Sequence, residues 1–340
     1  MPAGGFVLSF DFELAWGLRH STQPESAESV ARYSRVSTTI VDSLIEILTR
    51  YNLSATWGTV GQLMVRKEDC TDGQFLYPAR EFAPHYPWFE GSWFEGIPTC
   101  ESEAAPAYYA PHAVRAIVDC PVYQELASHT FTHAPLGDPA CSAEFARWEL
   151  ATCQTLATKW GRRLTSVIFP RNEIGHLPVL RELGYRSFRG ANSEWYWFGR
   201  ANQLHRQRSL RYGVWILRYF DEWSAHTPPL PPVRQQVGLW EVPHSMFFPG
   251  MRGVSRFITP EQRVRRAVKG LQAAAERGRV FSLWTHPDNF SSQAEQLLPA
   301  WETICRTAAE LRDQGRLNVL TMEQLADQLD IGEHRQWLAE

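Results

Sequence analysis

FVLSFDFE, residues 6–13, is the stretch of this chain that decides the fold. Its apolar, β-prone residues predict a buried strand over 6–12. The strand ends in two carboxylates, Asp11 and Glu13, which are two residues apart. Because side chains alternate along a strand, both carboxylates are expected on the same face. A buried strand that ends in two acidic side chains indicates a functional site at that end.

A second polar group, SHTFTH at 128–133, places His129 and His133 four residues apart. Two imidazoles and one carboxylate make the three-ligand set of many catalytic zinc sites, in which one coordination position stays open. The second carboxylate of the strand end could then serve as a base. On the residues alone, the histidines could also be loop residues bonded to backbone carbonyls, and the carboxylates could cap a helix or join a salt bridge.

Predicted strands and helices alternate along the chain. Strands are predicted at 6–12, 54–61, 122–129, 166–170, 185–190, 239–245 and from 279 towards 290, and helices at 29–50, 141–160, 176–183, 259–278 and 293–314, with a final strand–helix unit at 317–329. This alternation favours an α/β barrel or a doubly wound sheet in one domain over 1–340. In such folds the active site gathers at the carboxyl ends of the strands. Four polar segments follow apolar runs in this way, namely SFDFE, SHTFTH, FPRNEIG and WTHPDN.

The composition gives some indication of which molecules the protein binds. The net charge of −3 gives no reason to expect nucleic acid or an anionic membrane surface. The chain holds 14 Trp, 18 Phe and 11 Tyr. Most are expected in the core or scattered on the surface, and so many indoles would also suit a cleft that stacks on sugar rings. No run approaches the roughly 20 apolar residues of a membrane span. The chain enters its first strand directly after the initial Met, and a cytoplasmic location is therefore expected.

The six cysteines form no C-x-x-C pair and no regular framework, so we expect them to be reduced. They are Cys70, Cys100, Cys120, Cys141, Cys153 and Cys305.

Two long insertions interrupt the alternation, at about 66–125 and 192–236. The first is rich in proline, glycine and aromatic residues and has no clean period. Long connections of this kind are uncommon unless they are functional or disordered, and the aromatic content argues against disorder. Its aromatic run is expected to cover the substrate or, alternatively, to form a small secondary core; the residues are Trp88, Phe89, Trp93 and Phe94.

Taken in order, the four polar segments resemble the motifs of the polysaccharide deacetylases with the NodB-homology domain, carbohydrate esterase family 4. The resemblance runs from about residue 6 to 325. Its most specific part is His129-Thr-Phe-Thr-His133 followed by Pro135 and Leu136, which is similar to the H-[ST]-x-x-H metal motif.

The first motif of that family is T-F-D-D, a base followed by a metal ligand. Here Asp11 matches the base, and the resemblance places the ligand one residue further on, at Glu13, as in D-x-E versions. Arg171 begins a segment similar to the third motif, and His286 matches the histidine of the last. On the residues alone, Arg171 could be a structural ion-pair partner and His286 a member of an aromatic cluster.

The resemblance implies a distorted (β/α)7 barrel with the two insertions, and a Zn²⁺ ion, or Co²⁺, Ni²⁺ or Fe²⁺, on Glu13, His129 and His133. It implies Asp11 as the base, Arg171 as the cation that holds Asp11 ionised, and His286 as the acid. The backbone N–H of Ile174 would assist the reacting carbonyl oxygen. The fourth motif, D-x-x-D-W, has no clear counterpart, and Arg189 and Trp195 stand in its place. Trp88 and Trp93 complete the expected substrate contacts.

The implied activity is hydrolysis of an acetyl group from an N-acetylated sugar: a glycan precursor, a glycoside or an amino-sugar metabolite. The expected partner is thus a small-molecule or oligosaccharide substrate. Two alternatives stay open. One is an amidohydrolase of the cyclic-imide or allantoin type. The other is a non-catalytic carbohydrate-binding relative, which would follow if Glu13 did not complete a metal site.

Overall fold

The computed structural model describes residues 3–20, 26–190 and 228–338. The predicted contact residue Trp195 and most of the second insertion lie outside these ranges. One sheet contains ten strands: β1 (Gly4–Phe12), β2 (Ala55–Thr59), β3 (Gln124–Ser128), β4 (Ser166–Val167), β5 (Ser187–Gly190), β6 (Val233–Arg234), β7 (Trp240–Pro243), β8 (Met246–Phe247), β9 (Val280–Thr285) and β10 (Leu317–Leu320). All neighbouring strands are parallel except β6, which is antiparallel to β7.

Strand β1 is the centre of this sheet. Its first half pairs with β10, its second half with β2, and β9 lies along its other side. From β2 the sheet continues through β3, β4 and β5 to β7. The chain then passes through His244 and Ser245 into β8, which pairs with β9 and closes the ring. With β7 and β8 counted as one position, seven strands form the barrel, and the predicted α/β barrel is confirmed.

Nine helices accompany the strands in the described ranges: α1 (Ala27–Arg35), α2 (Val41–Arg50), α3 (Ala105–Tyr108), α4 (Pro111–Val118), α5 (Ala143–Lys159), α6 (Leu177–Glu182), α7 (Pro260–Arg277), α8 (Ala294–Asp313) and α9 (Met322–Asp330). Local caps fix their ends. Helix α7 begins with a capping box between Thr259 and Gln262 and ends at Gly278, whose φ is 58°.

The structure departs from the sequence prediction in three places. The predicted helix at 29–50 contains a π turn at Val36–Ile40, which joins α1 to α2. The first insertion, predicted without regular structure, contains α3 and α4. The strand predicted at 166–170 has only two residues, because the chain turns at Pro170 into a short 3-10 helix.

The aromatic residues mostly belong to the core. Phe10 of β1 stacks on Trp57 of β2 with ring centroids 4.2 Å apart, and Trp301 of α8 packs against the same Phe10. The largest fully buried side chains include Trp16, Trp57, Trp93, Trp301 and Trp337. All six cysteines are free, as predicted. In the described ranges, each helix is too short or too polar to cross a membrane.

A buried carboxyl at the amino-terminal part of the barrel makes folding sensitive to pH. Glu125 of β3 accepts hydrogen bonds from the Thr56 hydroxyl at 2.7 Å and from the Glu323 N–H at 3.0 Å. Burial raises the pKa of Glu125 from 4.5 to about 7. Because the folded-state pKa is the higher one, this group favours the folded state at low pH, and its contribution is lost as the pH rises from about 4.5 to 7.

We therefore expect Glu125→Gln to be more stable than the wild type at pH 8 by about 2–3 kcal/mol, because the amide is neutral at every pH and no negative charge has to be buried. At pH 4.5 the two proteins should differ little. Urea unfolding across this pH range measures both. The exposed Glu144→Gln serves as the control, and an equal change in both variants would contradict the assignment.

Candidate active site

Six of the predicted site residues, namely Asp11, Glu13, His129, His133, Arg189 and His286, converge at the carboxyl end of the barrel. Asp11 is the second-last residue of β1, and Glu13 directly follows the strand. His129 comes directly after β3, Arg189 lies in β5, and His286 comes directly after β9. Parallel strands deliver all of these side chains to one edge, which is why segments far apart in the chain can meet.

Glu13, His129 and His133 form a compact donor cluster. Glu13 Oε2 lies 2.8 Å from His133 Nε2 and 3.3 Å from His129 Nε2. One donor atom from each residue lies within 4.8 Å of the others. His129 Nδ1 is 2.7 Å from the Ile168 carbonyl, which can only accept, so this nitrogen carries the proton and leaves Nε2 free to bind a cation. The donor set fits a divalent metal of the zinc type.

The protonation states suit the same purpose. Burial would raise the pKa of the Glu13 carboxyl, but His133 and His286 reverse this and hold its pKa well below the ordinary value. Burial lowers the pKa of His133. Metal binding requires a deprotonated carboxylate and neutral imidazoles, and the pKa directions of Glu13 and His133 agree with this requirement.

Asp11 makes a buried, bidentate ion pair with Arg189. The two Nη–Oδ distances are 2.5 Å and 2.7 Å, and both side chains are almost inaccessible to solvent. The Arg189 guanidinium lies 4.2 Å from the Trp284 ring centroid and donates to Asn172 Oδ1 at 3.1 Å. Burial alone would raise the pKa of Asp11, but Arg189, together with His129 and His286, outweighs it and the pKa is lowered. Asp11 is thereby held as a carboxylate.

This ion pair corrects the sequence prediction, in which Arg171 was the cation that holds Asp11 ionised. Arg171 Nε instead donates to Glu173 Oε1 at 3.0 Å, and its guanidinium lies 5.4 Å from the Trp88 ring centroid. The backbone explains the difference. Arg171 and Asn172 both have left-handed φ values, 57° and 55°, and the turn they form presents Asn172 to the buried ion pair.

His286 faces both carboxylates. Its Nε2 lies 3.5 Å from Glu13 Oε1 and 3.9 Å from Asp11 Oδ2. The ring packs edge-on against Trp284 and Phe247, at centroid distances of 5.4 Å and 5.8 Å. These two aromatic side chains orient His286 where the sequence showed no counterpart to the fourth motif.

Comparison with known proteins finds relatives by structure and not by sequence. No protein-family profile and no curated protein matches the sequence. Solved structures do. A protein described as a polysaccharide deacetylase from Mycobacterium smegmatis aligns at a TM-score of 0.61 and 15% identity, over 97% of this chain and 95% of that one. A second protein with that description, from Pseudomonas aeruginosa PAO1, aligns at 0.58 and 13% identity over 96% and 90%.

The chain has the fold of the polysaccharide deacetylases. An allantoinase, PuuE, aligns over 96% of this chain and 90% of its own, with a TM-score of 0.55 and 12% identity. At such identities the likeness establishes the fold, and the chemistry rests on the site itself.

A cavity of about 210 Å³ opens between the two carboxylates and His286, within this polysaccharide deacetylase fold. Its walls are Asp11, Phe12, Glu13, Leu14, Tyr33, Val36, His286, Pro287, Asp288 and Asn289. Tyr33 and Val36 were not predicted from the sequence, and Asp288 and Asn289 belong to the WTHPDN segment without having been assigned a role. Arg32 and Arg252 fix Asp288 by ion pairs of 3.1 Å and 2.8 Å.

The loop that carries the two histidines is held by Glu149 of α5, another residue that sequence reasoning missed. Its carboxylate accepts the N–H groups of Phe131 and Thr132 at 2.6 Å and 2.8 Å, and also the Thr132 hydroxyl. This support matters because Thr130 and His133 have left-handed φ values of 57° and 60°. No sequence motif marks a glutamate one helix away from the loop it supports.

Trp88 and Trp93, which were predicted to contact the substrate, lie away from the cavity. Trp93 is fully buried, donates from Nε1 to Thr132 Oγ1 at 2.7 Å and packs against Phe89 and Tyr86. It is therefore part of a secondary core behind the histidine loop and not a substrate cover. Trp88 stacks on Tyr86 and donates to Asp138 Oδ2. Neither tryptophan lines the cavity.

Ile174 was predicted to supply a backbone N–H to the reacting carbonyl. It lies in a turn that packs on Leu136 and Gly137, where the Gly137 N–H donates to the Glu173 carbonyl at 3.0 Å. Ile174 does not line the cavity either.

The Arg189 pairing predicts unequal effects of two arginine substitutions. Arg189→Met should lower the free energy of unfolding by about 3–5 kcal/mol, because it leaves the Asp11 carboxylate buried without its cation. Arg171→Met should cost about 1 kcal/mol or less, since its pair with Glu173 is partly exposed. Urea unfolding at pH 7.5 measures both. Adding Asp11→Asn to Arg189→Met should restore part of the loss, and equal losses in the two single variants would refute the assignment.

Glu149→Ala should destabilise the protein by roughly 3 kcal/mol or more, because two buried N–H groups and one hydroxyl lose their acceptor. Glu144→Ala, an exposed glutamate on the same helix, is the matched control. Guanidinium unfolding of both variants provides the comparison. A Glu149→Ala protein as stable as the control would show that the loop holds itself.

Proposed function

We propose that this protein is a metal-dependent hydrolase that removes an acetyl group from an N-acetylated sugar. One observation carries the proposal. A carboxylate–histidine–histidine donor set shares Glu13 with the wall of one small cavity, and that wall also contains Asp11, a second carboxylate held ionised, and His286. This combination supplies a cation site and two groups that can transfer protons, which is what hydrolysis of an unactivated amide requires.

Glu13, His129 and His133 are the residues that would hold the ion. A divalent cation bound there lowers the pKa of water and polarises a carbonyl group. The fit rests on the donor chemistry: two imidazoles and one carboxylate, with the Nδ1 proton of His129 engaged by a backbone carbonyl. Zinc is the ion that this set most often binds in catalytic sites, and Co²⁺, Ni²⁺ or Fe²⁺ would also be accepted.

Asp11 is the proposed base. A carboxylate has about four lone-pair positions, so the bidentate pair with Arg189 leaves positions from which Asp11 can accept a proton from water. Arg189 fixes the orientation of the carboxylate and keeps it ionised. Arg189 thereby takes the role that the sequence assigned to Arg171. It positions the base and does not itself take part in proton transfer.

His286 is the proposed acid for the leaving amine. Its Nε2 lies 3.9 Å from Asp11 Oδ2, so a substrate group that binds beside both side chains would have one proton acceptor and one proton donor within reach. The edges of Trp284 and Phe247 restrict the rotation of the ring. Loss of either proton-transfer group is worth about 10²–10⁴-fold in rate.

The cavity supports a small, hydroxyl-bearing substrate group. Its volume of about 210 Å³ corresponds to about seven water molecules. Tyr33, Asp288 and Asn289 add polar side chains to walls that also contain Leu14 and Val36. Such a mixture suits the hydroxyl groups and the apolar C–H faces of a sugar.

A second candidate function is hydrolysis of a cyclic amide. The allantoinase PuuE shares the fold about as closely as one of the deacetylases does, with TM-scores of 0.55 and 0.58. The same set of base, acid and cation site would serve ring opening of an allantoin-like compound. Only the product distinguishes the two reactions.

The two acids of the first strand should respond differently to substitution. Asp11→Asn should retain metal but lose about 10²–10⁴-fold in the rate of acetate release, because the base is gone. Glu13→Gln should lose metal affinity and recover partly as zinc is added. Elemental analysis and an acetate assay on N-acetylated sugars measure these effects, with Asp138→Asn, outside the cavity, as the control.

Other outcomes would overturn parts of the proposal. Ring opening of allantoin without acetate release would favour the second candidate. A wild-type protein that binds sugar but neither binds metal nor hydrolyses any of these compounds would be a carbohydrate-binding relative. If Asp11→Asn emptied the site while Glu13→Gln kept it full, the ligand and the base would have to be exchanged.

A further inference from the structure

Gly17 lies against the carboxylate of Glu13. The short 3-10 helix Leu14–His20 follows β1, and its first turn is closed by a hydrogen bond from the Trp16 N–H to the Glu13 carbonyl at 3.0 Å. This turn brings position 17 beside the side chain of Glu13. A Cβ atom on Gly17 would lie 2.3 Å from Glu13 Oε1 and 2.9 Å from Glu13 Cδ. Real Cβ atoms essentially never approach a heavy atom this closely.

The absence of a side chain at position 17 is required by Glu13 and not by the backbone. The φ angle of Gly17 is outside the left-handed region, so an alanine could adopt the same conformation. The three atoms nearest to the hypothetical Cβ, at 2.3, 2.9 and 3.5 Å, all belong to Glu13. An alanine would therefore meet one obstacle, the carboxylate.

The turn itself cannot easily move to relieve such a contact. Trp16, next to Gly17, is fully buried and donates from Nε1 to the Tyr108 carbonyl at 3.0 Å. Its ring also packs edge-on against the Tyr108 ring, at a centroid distance of 5.5 Å. The flexible partner in the contact is the Glu13 side chain, so the carboxylate would be displaced.

Displacement would remove Glu13 from the donor cluster. Oε2 faces His133 at 2.8 Å and His129 at 3.3 Å, while Oε1 lies on the side of Gly17 and of His286, at 3.5 Å from the latter. The carboxylate thus occupies a slot between position 17 and the two histidines. We propose that Gly17 is a positioning residue for the metal site: it leaves the space in which Glu13 reaches the histidine pair. This inference rests on the metal site of the proposed function.

The proposal links Gly17 to the choice of glutamate at position 13. Glutamate is one methylene longer than aspartate, and the extra length carries the carboxylate over position 17. An aspartate at position 13 would hold its carboxylate nearer to its own backbone, and the carboxylate would extend less far over position 17. Positions 13 and 17 are therefore expected to behave as a coupled pair.

The experiment compares zinc affinity in four proteins: wild type, Gly17→Ala, Glu13→Ala and the double variant. Each is stripped with a chelator and titrated with zinc against a chromophoric competitor. Gly17→Ala should raise the zinc Kd by about 10–100-fold, the range for changes that disturb the support of a metal ligand. In the Glu13→Ala background the same substitution should change the Kd less than about twofold, because the carboxylate that it displaces is absent.

Two further readouts separate positioning from a general structural effect. The visible absorption spectrum of the Co²⁺-substituted protein should change in Gly17→Ala, because one ligand is lost, while the thermal midpoint of the apoprotein should fall no further than it does in Glu13→Ala. The Gly17→Ala/Glu13→Asp protein should bind zinc more tightly than Gly17→Ala alone.

An unchanged Kd and Co²⁺ spectrum in Gly17→Ala, or equal loss of affinity in both backgrounds, would overturn the proposal. If Gly17→Ala did not fold, the double variant with Glu13→Ala should fold, and its failure would also overturn the proposal. A wild type that binds neither zinc nor cobalt would instead refute the metal site, and the variants would not be needed to decide this.

Discussion

A buried carboxylate, Asp11, and a partly buried one, Glu13, lie at the end of one strand, and each needs a compensating charge or donor. Asp11 receives it from Arg189, and Glu13 from the histidine pair. An unpaired buried carboxylate would instead be protonated or would destabilise the fold. The arrangement of β5, β3 and β9 around β1 satisfies this requirement, because these strands bring Arg189, the histidine loop and His286 to the same edge of the barrel.

The carboxyl end of the barrel also concentrates backbone strain. Nine residues other than glycine have positive φ in the described ranges, and six of them lie in the segments that build this end: Leu14, Thr130, His133, Arg171, Asn172 and His176. Such conformations persist only where the surroundings enforce them. Glu149 does so for the histidine loop, with the buried Trp93 packed behind it. The aromatic insertion thus stabilises the loop from behind rather than covering the cavity.

Much of the fold and part of the site could be read from local sequence. Helix α7 was predictable almost to the residue because Thr259 and Gly278 are strong end signals, and the grouping of Glu13 with His129 and His133 was expected from the resemblance of their motifs. The partner of Asp11 was not predictable in this way. The pairing depends on a left-handed turn at 171–172, which keeps Arg171 away from Asp11. No pattern in the sequence specifies that turn. The core role of Trp93 likewise depends on a tertiary contact.

The π turn at Val36–Ile40 sets the rotational phase between α1 and α2. A π turn holds one residue more than a regular turn, and one residue of an α-helix corresponds to about 100° of rotation. Tyr33 and Val36, which stand just before and within the turn, owe their position in the cavity wall to that added rotation. Helix α1 can therefore be rephased by a change of length alone: a one-residue deletion within 36–40 would leave Asp11, Glu13 and His286 in place and would rotate Tyr33 and Arg32, the partner of Asp288, relative to them.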